Sequence, residues 1–381
     1  MNTQKICIIG DGLSGLSTAL ILSQKNLKID LYVGTNKNYK SKSDNRITAI
    51  SESSFQFIQK RLSIKKNIFW PCEEIKLFFE EKKILKNFLN FKEQNKKTMY
   101  FFQNKQLKKK LIGQILKKKK IKIIKKNITG IDYNNGCVLL NKNKMSYDLI
   151  ILSIGNSSKL YQKITQGRNI EKDYKEIALT TTVKHNSKID KASQFFLKQG
   201  PLAILPFSKN KFSIVWSVNN LFFLKNKNSL KKLLYQKLED LLKNPKINNI
   251  ADVQWFPINL SLKTKYFKKN TLIMGDGLHA VHPVAGQGFN LVLRDIKKLS
   301  ELIDKKLKLG LSLRDSSLLK DFCHARKPEN TIVGLGINLT NIFFKDNNFF
   351  LPFKKVILNN IKNFKFIKKI SQSISDKGIS V

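Results

Sequence analysis

Apolar positions along this chain fall into short unbroken runs and into longer stretches on a helical period, and the two kinds alternate. The first run is Ile6-Cys7-Ile8-Ile9, followed at once by Gly10-Asp11-Gly12-Leu13-Ser14-Gly15 and then by Leu16, Ala19, Leu20 and Leu22 at helical spacing. This order predicts a strand, a glycine turn and a helix. Gly10 serves the tight turn, Gly12 lets a pyrophosphate approach the backbone, and Gly15 lets helix and sheet pack closely. A second strand is predicted over 27–33. It ends at Val33, where a unit of this kind usually carries Asp or Glu to hold a ribose. Losing such an acceptor costs roughly 1.5–3 kcal/mol, which is about one to two decades of affinity. Thr35 and Asn36 are the nearest partial substitutes.

Residues 39–45 read as loop, and the segment 44–51 enters a helix carrying Phe55, Ile58 and Leu62. Residues 75–91 alternate as a hairpin around Lys82-Lys83, and 99–104 precede a helix over 106–116. Short strands follow at 121–124, 128–133 and 138–140, and 148–152 reads as a buried parallel strand ending at Ser153-Ile154-Gly155. A second strand-rich region covers 177–183, 194–197, 200–207 and 212–217. It continues through a helix over 229–242, with Ser229 as its N-cap, and a strand over 251–262. The run Leu272-Ile273-Met274 then enters Gly275-Asp276-Gly277-Leu278-His279-Ala280-Val281-His282-Pro283-Val284-Ala285-Gly286-Gln287-Gly288-Phe289-Asn290, ahead of a helix over 291–303. A strand thus ends at an acid, passes a glycine-rich turn and enters a helix whose first amides point back at what the loop holds. Beyond residue 303 the chain reads as helical.

Length and composition add bounds. At 381 residues the chain suits two intimately joined domains. The net charge of +44 raises nucleic acid or an anionic membrane as partners. The basic residues, however, are 65 Lys against six Arg, with abundant Asn, Ile and Phe. A nucleic-acid reader more often uses the Arg fork, so compositional drift ranks first, anionic lipid second, and nucleic acid is not expected. Cys7, Cys72, Cys137 and Cys323 form no metal-ligand or disulfide pattern, so no metal is expected. With no signal-peptide pattern and no uncharged run near the ~18–20 residues of a spanning helix, the expectation is a cytoplasmic protein, peripheral on the inner membrane. The aromatics Phe343, Phe344, Phe349, Phe350, Phe353, Phe364 and Phe366 lie among Lys and Asn. They suit either a core or an interfacial helix.

Taken together, Gly10-x-Gly12-x-x-Gly15, Arg46-x-x-Ala49-x-Ser51, Gln103-Asn104, Tyr174 and Ala178 ahead of His185, Gly200 to Pro206 with Val215-Trp216-Ser217, and Gly275-Asp276 to Asn290 resemble the flavoprotein aromatic hydroxylases. The branch most resembled hydroxylates the polyprenylated ring in ubiquinone biosynthesis. The resemblance implies an α/β fold: a three-layer, Rossmann-like FAD-binding domain (1–74, 104–172 and 263–330), an inserted, mostly antiparallel β-sheet substrate domain (75–103 and 173–262), and a C-terminal helical region (331–381). It implies FAD as cofactor, NADH or NADPH as reductant, and oxygen transfer to a polyprenylated phenol through a flavin C4a-hydroperoxide.

By the same resemblance Gly10, Gly12, Leu13 and Gly15 face the pyrophosphate, and Arg46 and Gln103 lie along the pyrophosphate and ribityl chain. Gly275 and Asp276 meet the ribityl hydroxyls, while Pro283, Gly286, Gln287, Gly288 and Asn290 belong to the ring end. Leu202, Ile204, Pro206 and Trp216 are candidate walls of the substrate pocket or ordinary sheet core. No catalytic base is assigned, and His185, His279 and His282 read as structural hydrogen-bonders. The family's Asp-Gly pair after the 148–152 strand is replaced by Ile154-Gly155, and Tyr161 stands where Arg is common. Partners are the hydrophobic phenol, an anionic membrane surface and other ubiquinone-biosynthesis proteins. A catalytically weakened assembly partner, or a related flavoprotein acting on another hydrophobic or aromatic substrate, is the alternative.

Overall fold

The unbroken apolar runs pair with one another. Gln4–Ile9 lies between Leu149–Leu152 and Leu27–Val33, all parallel, with Ile6 opposite both Leu149 and Ile29. Strands buried on both faces suit parallel pairing, which is why these runs are continuous rather than alternating. Thr271–Ile273 and Ile121–Lys125 extend this sheet, and Phe267–Lys268 closes one edge antiparallel, giving six strands. The structure is a computed structural model that describes residues 3–34, 44, 46–92, 96–141, 143–156, 159–167, 169–345, 376 and 378. The predicted Thr35 and Asn36, and most of the 39–45 loop, lie outside them.

The strand-rich middle of the chain forms a nine-stranded sheet. It is antiparallel except where Ala192–Leu197 runs parallel to Glu74–Glu81. The hairpin Glu74–Glu81 and Ile84–Lys92 turns at Lys82 and Lys83, both with left-handed backbone (φ 48° and 66°), as a two-residue hairpin requires. Asn169–His185 is the sheet's longest strand. Its register against Gln254–Lys263 slips between Asp173 and Glu176, and this brings both Tyr174 and Glu176 to His282. One face of the sheet packs on the helices Asn220–Asn226 and Leu230–Leu242 through Leu202, Ile204, Phe212, Ile214 and Trp216. The other face looks back toward the parallel sheet. The helices Gly288–Lys308 and Ser317–Phe344 complete the structure. The α/β architecture, the inserted antiparallel sheet and the helical C-terminal region are those expected.

Several local expectations need correction. Residues 47–51 form a strand, Ile47–Ser51, paired with Met99–Gln103, before the helix Glu52–Leu62 begins. Ser229 occupies the N-cap position of its helix, as expected, but makes no side-chain capping bond: it ends a short 3-10 turn, and its hydroxyl donates to the Asn226 carbonyl instead. The strand expected from residue 251 starts at Gln254, because the Ala251 N–H and carbonyl are used by Thr182 and Thr181. Asn143–Ser146, too polar to read as a strand, completes a three-stranded sheet with Gly130–Asp132 and Cys137–Leu140.

Candidate functional site

The C-terminal ends of Gln4–Ile9 and Thr271–Ile273, and the exposed face of the antiparallel sheet, enclose one cavity of about 1300 Å³. That exceeds the ~300–1,000 Å³ of an ordinary small-molecule pocket, so there is room for a large ligand and a second one beside it.

At one end, Gly12 precedes the helix Leu13–Leu22 with no side-chain cap, leaving the first amides of the helix directed at the cavity. A Cβ built on Gly12 meets nothing, and the same holds at Gly155 on the neighbouring strand end. The hydroxyls of Ser14 and Ser153 are buried here with no partner among the described residues. Gly10 and Gly15 do not line the cavity. A side chain on Gly10 would strike the Ser153 carbonyl, and one on Gly15 would strike the Gly10 carbonyl, so both serve close packing behind the turn rather than ligand approach. Leu13 lines the wall.

Basic groups flank this end. Lys105, Lys108 and Lys109 come from the helix Asn104–Ile115, and Lys108 pairs with Asp11 at 2.9 Å. Arg46 holds Asp44 through two bonds, Nε to Oδ1 at 2.7 Å and Nη2 to Oδ2 at 2.9 Å. Burial would raise the Asp44 carboxyl, but the Arg46 and Asn104 bonds outweigh it and hold the carboxyl low. The Asp44 bond and the nearby Asp276 in turn raise Arg46. Gln103 does not line the cavity, whereas Asn104 does. The Asn104 N–H donates to the Arg46 carbonyl at 3.0 Å, which starts the helix one residue after the expected contact. The Asn104 side chain then accepts from Thr48 and donates to Asp44.

Asp276 projects from a 3-10 turn, Gly275–Gly277, between the two ends. Gly275 packs on the Ser14 side chain, and Gly277 on the Tyr161 ring, so neither lines the cavity. Tyr161, standing where Arg is common, is buried behind this turn and accepts from the Ile154 N–H at 3.3 Å; burial raises its hydroxyl above the usual range. The charge expected at that position is replaced by packing.

At the ring end Pro283 opens a 3-10 turn, Gly286 closes it with φ 60°, and Gly288 begins a 21-residue helix. Pro283, Gly286, Gln287 and Gly288 line the cavity, and a Cβ on Gly288 would meet nothing. Asn290 is fully buried and does not line it. It accepts from the Ser51 N–H at 3.0 Å and donates to the Gly286 carbonyl at 3.3 Å, buckling the loop to the strand Ile47–Ser51.

His282 fixes the turn from the other side. Its Nδ1 accepts from the Val284 N–H at 3.1 Å, so Nε2 carries the proton and donates to Glu176 at 2.9 Å. Burial would raise the Glu176 carboxyl, but its bonds to His282 and Lys345 hold it low. His279 meets Asp295 at 2.7 Å within a buried network that includes Arg326 and Asn330, and His185 bonds the Ser187 carbonyl at 2.9 Å. All three imidazoles are structural hydrogen-bonders, as read from the sequence.

The remaining wall is the antiparallel sheet, and here the residues that read as either pocket wall or sheet core belong to the core. Leu202, Ile204 and Trp216 point away from the cavity into the core over the helices, and Pro206 lies on their side of its strand. Their neighbours Ala203, Leu205 and Val215 line the cavity, with Ile75, Leu77 and Phe196. Sequence reasoning also passed over Asp44, Ser14, Ser153, Glu176 and Gln194. Gln194 and the adjacent Ser193 are the polar residues of the strand Ala192–Leu197, and both line the cavity.

The family model described as glucose inhibited division protein A matches residues 5–216, more than half of the chain. The chain belongs to this family of FAD-binding proteins. The squalene epoxidase model matches residues 226–370. Among curated relatives, ubiquinone biosynthesis monooxygenase COQ6 of Dictyostelium discoideum is 26% identical over 278 residues, 60% of this chain and 56% of the relative. Ubiquinone hydroxylase UbiL of Rhodospirillum rubrum is 31% identical over 166 residues, 42% of this chain and 38% of the relative. The 3-demethoxyubiquinol 3-hydroxylase of Escherichia coli is 26% identical over 205 residues, 52% and 51% of the two chains. The chain spans about half the length, or less, of these relatives. The resemblance to the ubiquinone-biosynthesis hydroxylases is thereby borne out. Two solved structures share the fold: a probable FAD-dependent monooxygenase, pqsL of Pseudomonas aeruginosa (TM-score 0.74, 14% identity, 91% of this chain and 97% of that one), and p-nitrophenol 4-monooxygenase PnpA of Pseudomonas putida (TM-score 0.78, 13% identity, 99% of each).

Proposed function

We propose that the protein is an FAD-dependent monooxygenase that hydroxylates the ring of a polyprenylated phenol in ubiquinone biosynthesis, with NADH or NADPH as reductant. The observation that carries this reading is one cavity running from a bare helix N-terminus, past Asp276, to a glycine loop that faces an apolar sheet. The donor set suits FAD: open glycines and unpartnered Ser14 and Ser153 hydroxyls at one end, a carboxylate mid-way, and amides at the other. Gly12, Leu13, Ser14 and the flanking lysines would hold the diphosphate, Asp276 the ribityl hydroxyls, and the Gly286–Gly288 backbone the flavin ring. Bound there, FAD supplies acceptance of a hydride and activation of O₂.

The chain's own part is positioning and exclusion of water. The helix Gly288–Lys308 directs its positive end at the ring site. Ala203, Leu205, Val215 and Phe196 keep the substrate side dry, which favours oxygen transfer over release of hydrogen peroxide. His282 lines this site but has both nitrogens engaged, so it is not read as a base. The weakened assembly-partner alternative is not favoured, because the cradle keeps its open glycines. FAD titration followed by the visible flavin bands tests the cofactor. NADH or NADPH oxidation stimulated by a polyprenyl phenol, with analysis of the hydroxylated product, tests the reaction; failure of both would refute the proposal.

Association with an anionic membrane, and with other ubiquinone-biosynthesis proteins, belongs to the same proposal. It is supported by the net charge of +44 and by exposed Leu221, Leu224 and Trp255, with Lys227 over the Trp255 ring. Among the described residues no helix is long and apolar enough to cross a membrane. Of the seven C-terminal phenylalanines, Phe343 and Phe344 are part of the molecule's packing, Phe344 stacking on Phe196; the others lie outside the described residues. Flotation with anionic liposomes should capture the protein at low salt and release it as salt rises. Indifference to lipid would count against the membrane reading.

A further inference from the structure

Within the apolar wall of the cavity sits an amide. The cavity-facing row across four adjacent strands reads Leu77, Gln194, Ala203, Val215, with Gln194 opposite Leu77 on one side and Ala203 on the other. Along its own strand, Ala192 and Phe196 face the same way, while Phe195 and Leu197 enter the core beneath. Gln194 is therefore bordered on all four sides by apolar side chains. Only 8% of its surface is exposed, it lines the cavity, and no hydrogen bond joins its amide to any described residue. Its amide is not sealed in the core but opens into the cavity, so a ligand that fills this space either pairs with the amide or leaves it unpaired at a cost. Among the described residues, the cavity is the face from which a partner can come.

We propose that the Gln194 amide hydrogen-bonds the ring oxygen of the substrate and so sets which ring edge faces the Pro283–Gly288 loop. This rests on the hydroxylase reading. The strand neighbour Phe196 belongs to the cluster that Val284 joins, which places this part of the wall beside the loop. An amide carries both a donor and an acceptor, so it suits a phenolic hydroxyl. The surrounding Leu77, Phe196, Ala203 and Val215 accept the apolar remainder of the ring and tail. Gln194 is thus a specificity-determining residue, and it acts by discriminating rings that carry the oxygen from those that lack it.

The test uses the FAD-loaded protein and two probes, a short-chain prenyl phenol and the same molecule without its hydroxyl. Dissociation constants are read from the change each causes in the flavin spectrum. Wild type should prefer the phenol by roughly tenfold. Gln194→Leu and Gln194→Met should each abolish that preference, with FAD affinity unchanged. In turnover both should raise KM more than they lower kcat, and divert more reducing equivalents to hydrogen peroxide. If either variant retains FAD and still discriminates, or if wild type shows no preference, the assignment to Gln194 is overturned while the hydroxylase reading survives. If FAD-loaded wild type binds neither probe, both fall together.

Discussion

The two ends of the cavity are built differently. The ring end is held by buried, mutually dependent bonds: Asn290 ties Gly286 to Ser51, His282 ties Val284 to Glu176, and behind them Asp295 joins His279 and Arg326. The nucleotide end offers helix amides and the buried Ser14 and Ser153 hydroxyls, but its charged groups are exposed. Arg46 and Asp44 are both solvent-accessible, as are Lys108 and Asp11. Val33 and Ile154 stand at this end where two acids are expected. Buried hydrogen-bond networks hold a single geometry, whereas exposed ion pairs are worth about 0–1 kcal/mol and are screened by salt. The contrast implies that the loop and Asp276 carry most of the grip on FAD, and that the nucleotide end adds a weaker, salt-sensitive share.

The comparison can be broken at several points. Gly288→Leu places a side chain in open cavity space, so saturable FAD binding should vanish while the circular dichroism spectrum and thermal midpoint stay near wild type. Val33→Glu should act in the opposite sense and tighten FAD by about one to two decades, because it restores a ribose acceptor at the weak end. Unchanged affinity in a titration would show that the nucleotide end is not limited by that acid. Asn290→Ala orphans the Ser51 N–H and the Gly286 carbonyl, and chemical denaturation should register about 1–3 kcal/mol of lost stability.

The smallest effect is expected in the response to acid. The Glu176 carboxyl is held low in the folded state, so its charged form contributes stability that is complete above the ordinary carboxylate range. That contribution is lost as pH falls through the folded-state value. Thermal midpoints measured across the acid range should therefore fall less steeply for Glu176→Gln than for wild type. Parallel slopes would remove Glu176 from the account.

Both glycine loops were legible in the sequence because each is local: strand, turn and helix are contiguous at Gly10–Gly15 and again at Gly275–Asn290. The phase of the sheet wall was not legible. Leu202, Ile204 and Trp216 face a helix layer, while Ala203, Leu205 and Val215 face the cavity, so both faces are apolar and alternation carries no sign. Ser193 and Gln194 are adjacent polar residues, so they set no phase for their strand either. The shift from Gln103 to Asn104 came from a long-range bond to the Arg46 carbonyl, which no local pattern encodes. The same is true of Glu176, which reaches His282 across 106 positions of the chain.

The most direct test of the unequal grip is a set of parallel FAD titrations on wild type, Asp276→Ala and Arg46→Ala, at low and high salt. Asp276→Ala should lose flavin retention at both salt concentrations. Arg46→Ala should weaken binding by no more than about tenfold, and by less at high salt. A variant at Asp276 that keeps its FAD, or an Arg46 variant that loses it outright, would contradict the account.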